Sequence, residues 1–155
     1  MRTNWKKLII CLAIPLAAGG LGTLFAGGMD AYKNFNQPPL SPPGWVFPIV
    51  WSILYLLMGY ASYRIYTSGA EPAQVRKALT FYGVQLFLNF LWPILFFGFQ
   101  WYFAAFVLLL VLWAFIYLTM HFFGEIDDTA ENLLIPYLLW VTFAGYLNLG
   151  VALLN

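Results

Sequence analysis

The sequence predicts an all-α integral membrane protein, one domain over residues 1–155 built as a bundle of five transmembrane helices, and three observations carry that reading. Charged residues make up 8% of the chain and hydrophobic residues 63%, against roughly 25% charged residues in soluble domains. Five apolar stretches each approach the ~20 residues that a helix rising ~1.5 Å per residue needs to cross a ~30 Å hydrocarbon core. Between Lys77 and Glu125 no Asp, Glu, Lys or Arg occurs, yet that run holds two of the stretches, separated only by "GFQWY". An antiparallel helical hairpin follows.

The first helix is expected over residues 8–29. Its basic start and apolar run imitate a signal peptide, but a signal's apolar core spans only about 7–15 residues and ends at an A-x-A-like site. Here the run continues to Met29 without one, so the segment is kept as a helix. Ala18, Gly22 and Ala26 recur at four-residue spacing, which lets helices approach closely; packing within the bundle, a homodimer seam and a clearing for a ligand all fit that pattern. The single cysteine, Cys11, excludes an internal disulfide and suggests no metal cluster.

Residues 30–44 form the longest connection. Together with the start of the next helix, the stretch "NQPPLSPPGWVFPIVW" holds five of the nine prolines, which fix φ and push each preceding residue toward extended geometry. A stiff lid is expected. The second helix is expected over 45–66, with Pro48 in its first turn, where a missing N–H costs little. The third, over 78–98, carries Pro93 in its interior and is expected to kink near Asn89. The fourth covers 102–123 and the fifth 133–154. His121, near one end of the fourth, reads as an interfacial polar residue rather than a haem ligand.

Six of the seven basic residues, Arg2, Lys6, Lys7, Arg64, Arg76 and Lys77, fall on one side of this arrangement, and Lys33 alone falls on the other. The positive-inside rule then puts the N-terminus in the cytoplasm and the proline-rich lid and C-terminus outside. A net charge of +1 with no basic patch excludes nucleic acid as a partner.

Aromatic residues reach 21% of the chain, more than interfacial belts require. Trp5, Trp45, Trp101 and Tyr102 suit belts at helix ends; Trp51, Trp92, Trp113 and Trp140 lie inside helices. Helical spacing gathers three stripes: Trp51, Tyr55, Gly59 and Tyr63; Gln85, Asn89 and Trp92; and Trp140, Ala144 and Asn148. An amide in a membrane helix often serves only as interhelical glue, worth about 0.6 kcal/mol. Three stripes at one depth beneath a stiff lid instead suggest a mostly apolar cavity with a few orienting polar groups. That cavity holds no Asp, Glu, Lys, Arg or His, so acid–base, nucleophilic and metal chemistry are not expected, and neither is an ion pathway.

The segments "PPGWVFPIVWSILYLLMGYASY", "QLFLNFLWPILFFG" and "PYLLWVTFAGYLN" closely resemble the TspO/MBR family of tryptophan-rich sensory proteins and translocator proteins, once called peripheral-type benzodiazepine receptors. The resemblance runs from Trp5 to Asn148 and is to a bacterial member. It implies a five-helix bundle, commonly a homodimer in the bacterial cytoplasmic membrane, that binds porphyrins such as protoporphyrin IX. In mammalian members it also implies binding of cholesterol and synthetic isoquinoline or benzodiazepine ligands. The ligand-binding residues it implies are Tyr32, Trp51, Asn89, Phe90, Trp92, Trp140, Ala144 and Asn148, with Phe90 standing where many relatives have Trp.

The resemblance further implies that Trp51 and Trp140 would be the catalytic pair if bound porphyrin is broken down in light. The mammalian sterol motif needs a Lys or Arg after the tyrosine of the last helix, and "GYLNLGVALLN" has neither, so high-affinity cholesterol binding is not expected. Leu57, Tyr60 and Arg64 fit only the looser sterol pattern. No cofactor and no metal site are expected. Three functions follow in order: tetrapyrrole receptor, carrier or scavenger; light- and oxygen-dependent porphyrin-degrading enzyme; structural or regulatory membrane subunit.

Overall fold

The computed structural model describes residues 3–28 and 36–155. Helix α1 runs Trp5–Phe25, α2 Val46–Tyr66, α3 Pro72–Pro93, α4 Tyr102–Gly124, α5 Asp128–Leu133 and α6 Ile135–Leu154, with a π-helical turn Ile94–Gly98 after α3. Five spans are long and apolar enough to cross a membrane, the third including the π turn and the fifth joining α5 to α6. No strand occurs among the described residues.

Where the helix limits depart from the sequence reading, the cause is local. Helix α1 starts at Trp5 because Asn4 caps it, its Oδ1 accepting from Lys7 N at 3.1 Å, as N-cap amides do. It stops at Phe25 because Gly27 and Gly28 both adopt φ +83, a left-handed geometry that costs glycine nothing. Met29 lies outside the described residues. Helix α3 begins at Pro72, in the first turn where proline is tolerated, so Arg76 and Lys77 belong to the helix and mark its wet end. Helix α3 runs through Asn89 to Pro93, and its winding then widens so that Phe99 N reaches Ile94 O at 2.9 Å and Trp101 N reaches Leu95 O at 2.9 Å. Extra turns of this kind re-satisfy the backbone groups that a membrane proline frees.

The α3 to α4 hairpin forms as the charge-free run implies. Helix α1 is sealed to both neighbours through glycines. A Cβ added at Gly59 would lie 2.6 Å from Cys11 O, and one at Gly22 would lie 2.7 Å from Phe90 O. Ala26 is buried beside Gly98. Of the readings open for the small-residue run, internal packing is the one these contacts match. Gly59 and Tyr63 therefore belong to the α1 seam rather than to a cavity, and Tyr63 Oη accepts from Asn4 N at 2.9 Å.

At the opposite end from the lid, Arg64 Nε donates to Asp127 Oδ2 at 2.8 Å and its Nη2 to Oδ1 at 3.4 Å. Lys77 lies over the Phe122 ring at 4.5 Å and Lys7 over Tyr66 at 5.3 Å. The described basic residues thus gather at one end of the bundle, as the charge pattern anticipates; Arg2 and Lys33 lie outside the described residues. Burial alone would raise the Asp127 carboxyl pKa, but hydrogen bonds from Arg64 and the amides of Thr129 and Ala130 outweigh it and hold the group below its ordinary value.

Candidate ligand cavity

In the lid-side half of the bundle, α1, α2, α3, α4 and α6 enclose a cavity of about 360 Å³, within the ~300–1,000 Å³ usual for small-molecule sites. Trp51, Asn89, Trp92, Trp140, Ala144 and Asn148 all line it. Other residues that the sequence singled out stand elsewhere, Gln85 among them, buried and accepting from Tyr137 Oη at 2.7 Å. Phe90 does not line the cavity; its ring packs on Phe25 at 5.9 Å and Phe87 at 6.3 Å, because its place on α3 turns it toward the end of α1. Trp113 is 40% exposed and donates to Thr142 Oγ1 at 2.9 Å on the membrane-facing side of α4 and α6. Tyr32 and Lys33 lie outside the described residues.

Two hydrogen-bonded chains set the positions of the polar walls. Tyr55 Oη donates to Asn89 Oδ1 at 2.9 Å, Asn89 Nδ2 to Tyr137 Oη at 2.7 Å, and Tyr137 Oη to Gln85 Oε1 at 2.7 Å. Trp92 Nε1 donates to Asn148 Oδ1 at 2.9 Å, and Asn148 Nδ2 to Tyr102 O at 2.8 Å. Both asparagines thus join helices as well as facing the cavity. Trp140 differs: its indole N–H is buried and has no hydrogen-bond partner among the described residues. An unmade bond at a buried donor costs about 1–3 kcal/mol, so a guest that brings an acceptor to Trp140 recovers that energy.

The cavity includes residues that no amide or tryptophan pattern singled out. Gly19, Gly20 and Thr23 of α1, Phe47 at the start of α2 and Phe96 in the π turn complete its walls. The Gly19-Gly20 pair is their one visible signal, because only a residue without a side chain leaves room beside Tyr55: a Cβ at Gly19 would meet that ring. No charged residue is among those lining the cavity.

Gln37 and Ser41 of the described lid line the cavity at its outer mouth. Tyr146 Oη donates to Pro39 O at 2.6 Å, Asn155 Nδ2 donates to Asn36 O at 2.8 Å, and Asn36 N donates to Asn155 Oδ1 at 3.1 Å. Pro38 lies against Gly150, where an added Cβ would approach to 2.5 Å. The described part of the lid is therefore fastened along α6. In the looser sterol segment, the Arg64 head is engaged by Asp127.

Fold and cavity together define an integral membrane protein of five spans with an internal, uncharged, aromatic-walled chamber. The chain belongs to the TspO/MBR family, whose sequence model matches residues 11–154. A tryptophan-rich protein TspO of Chlorobaculum tepidum is 38% identical over 157 residues, covering 100% of this chain and 99% of its own. A tryptophan-rich sensory protein of Cereibacter sphaeroides is 37% identical over 155 residues, covering 100% and 95%. A translocator protein of Ovis aries is 35% identical over 151 residues, covering 96% and 89%.

Proposed function

We propose that this protein is a membrane receptor or carrier for porphyrins of the protoporphyrin IX kind, serving tetrapyrrole sensing, transport or scavenging, and that its cavity also accepts drug-like aromatic ligands. The observation that carries the reading is the convergence of three tryptophans, Trp51, Trp92 and Trp140, on one uncharged cavity. Flat rings gain about 0.5–1.5 kcal/mol per aromatic partner beyond the area they bury. A macrocycle stacks on these indoles, accepts a hydrogen bond from Trp140, and keeps its carboxylates at the lid-side interface, since no cation lines the interior. A homodimer in the bacterial cytoplasmic membrane is the assembly proposed with it.

Titrating protoporphyrin IX while following tryptophan fluorescence tests this. Saturable quenching is expected, with affinity at least about tenfold weaker in a Trp51→Phe, Trp140→Phe double variant; equal affinity in that variant would refute the stacking site.

A second reading, light-driven porphyrin breakdown, draws on one specific contact: Trp51 stacks on Tyr55 at 5.5 Å between centroids, placing two oxidisable rings together on the cavity wall. Illuminating the complex under oxygen decides it. Porphyrin decay no faster than in protein-free detergent removes the enzyme.

A further inference from the structure

We propose that the guest enters and leaves the cavity sideways, from the bilayer, through the seam between α2 and α6, with the Trp140 ring as the wall that moves. The proposal rests on the cavity taking an apolar aromatic guest and adds the route and the gate.

The backbones of α2 and α6 stay apart. Helix α2 packs closely on α1, α3 and the short α5, while α6 packs on α4. Across this side the bundle is tied by an ion pair at its basic end, where Arg64 meets Asp127, and toward the lid by ring contacts, Trp51 with Tyr137 at 6.2 Å and Phe47 with Trp140 at 5.8 Å. Toward the lid, the membrane-facing side of the seam is a second concavity, of about 450 Å³, lined by apolar side chains including Ile53, Leu57, Leu139 and Phe143. Trp140 lines this groove and the internal cavity alike. On this side of the bundle, Trp140 stands between the guest's chamber and lipid.

That side chain is lightly held. Its ring meets Phe47 at 5.8 Å and Phe143 at 5.6 Å, both through ring contacts, and its N–H bonds to nothing among the described residues. Turning it aside forfeits ring contacts of about 0.5–1.5 kcal/mol each and breaks no hydrogen bond. Two other approaches are held by firmer contacts. The described lid is fastened by Tyr146 and Asn155 and seated against Gly150. Helix α1 is sealed to α2 and α3 by backbone contacts at Gly59 and Gly22. An apolar macrocycle also concentrates in the hydrocarbon rather than in water.

The test uses the full chain in lipid vesicles, with protoporphyrin IX followed by stopped-flow changes in its Soret absorption. Ile53 and Leu139 line the groove but not the cavity and are 53% and 64% exposed, so Ile53→Trp and Leu139→Trp add bulk in the passage while the fold and the chamber stay intact. A blocked passage raises the barrier in both directions and leaves the end states alone. Association and dissociation are each expected to slow by about tenfold, with Kd changed by less than about twofold, while Val107→Trp on exposed α4 leaves the rates as they were. Saturable binding with unchanged rates in both seam variants would overturn the route while leaving the ligand reading intact. No saturable Soret change in the unsubstituted protein would overturn the ligand reading, and the route with it.

Discussion

The Trp92 indole donates to Asn148 Oδ1 at 2.9 Å, and this one bond locks α3 to α6 across the cavity wall while fixing the plane of a proposed stacking ring. Asn148 is 1% exposed and also donates to Tyr102 O. Replacing it with Leu strands a buried donor and a backbone acceptor, each costing about 1–3 kcal/mol when left unpaired. Asn148→Leu should lower the thermal midpoint in detergent and weaken porphyrin binding together. A midpoint equal to that of the unsubstituted protein would show that water replaces both bonds.

Tyr137 and Tyr55 flank Asn89 in one chain but face different surroundings. Tyr137 is 1% exposed and does not line the cavity, whereas Tyr55 does. Tyr137→Phe removes the partner of both Asn89 Nδ2 and Gln85 Oε1, so it should cost about 1–3 kcal/mol of stability with affinity changed less than about threefold. Tyr55→Phe removes only one donor to Asn89 and should show the reverse balance. Paired unfolding and binding measurements on the two variants check the split.

The five spans were legible in the sequence because length and hydropathy are what a bilayer demands of a helix. Helix ends were less so, since backbone hydrogen bonding continues past the lipid boundary: Pro72 starts α3 before its first apolar residues, and α5 is a polar turn capped by Asp127. Six of the eight residues singled out for the ligand line one cavity, because heptad-like spacing correctly groups residues on a face. Spacing does not say which neighbour that face meets. Gly59 and Tyr63 share the stripe of Trp51 yet serve the α1 seam, and Phe90, one position from Asn89, turns toward Phe25. Nothing in the sequence marks the lid's anchor on α6, since Gly150 and Asn155 become informative only once Pro38 and Asn36 lie beside them.

That anchor makes its own prediction. Gly150→Val places a Cβ where Pro38 now sits, so the lid must lift while α6 stays helical. Hydrogen exchange of the Asn36 amide, which donates to Asn155 Oδ1, should accelerate by at least about tenfold, with α6 amides still protected. Unchanged exchange would mean that Tyr146 and Asn155 hold the lid without the Gly150 notch.

The Arg64 and Asp127 pair gives a pH signature. The folded carboxyl lies below its ordinary value, so the pair's contribution is complete above the unfolded value of about 3.9 and vanishes as pH falls through the lower folded value. With side chains 34% and 19% exposed, screening limits it to about 1 kcal/mol or less. Asp127→Asn keeps a cap for α5 but loses the charge, so it should be slightly less stable at neutral pH, with the deficit shrinking at an acid pH where the carboxyl is protonated. An equal deficit at both pH values would assign the loss to the cap instead.

The central claim, that the internal chamber is where a flat aromatic guest sits, is tested most directly at Gly20. This residue lines the cavity, and a Cβ added there meets nothing within 4 Å. Gly20→Phe therefore starts a bulky side chain at a Cβ that meets nothing, and its ring is expected to take space from the chamber. In a protoporphyrin IX titration monitored by the Soret band, this variant is predicted to fold and melt as the unsubstituted protein does while binding at least about tenfold more weakly. Binding of unchanged affinity to a correctly folded Gly20→Phe protein would contradict the account.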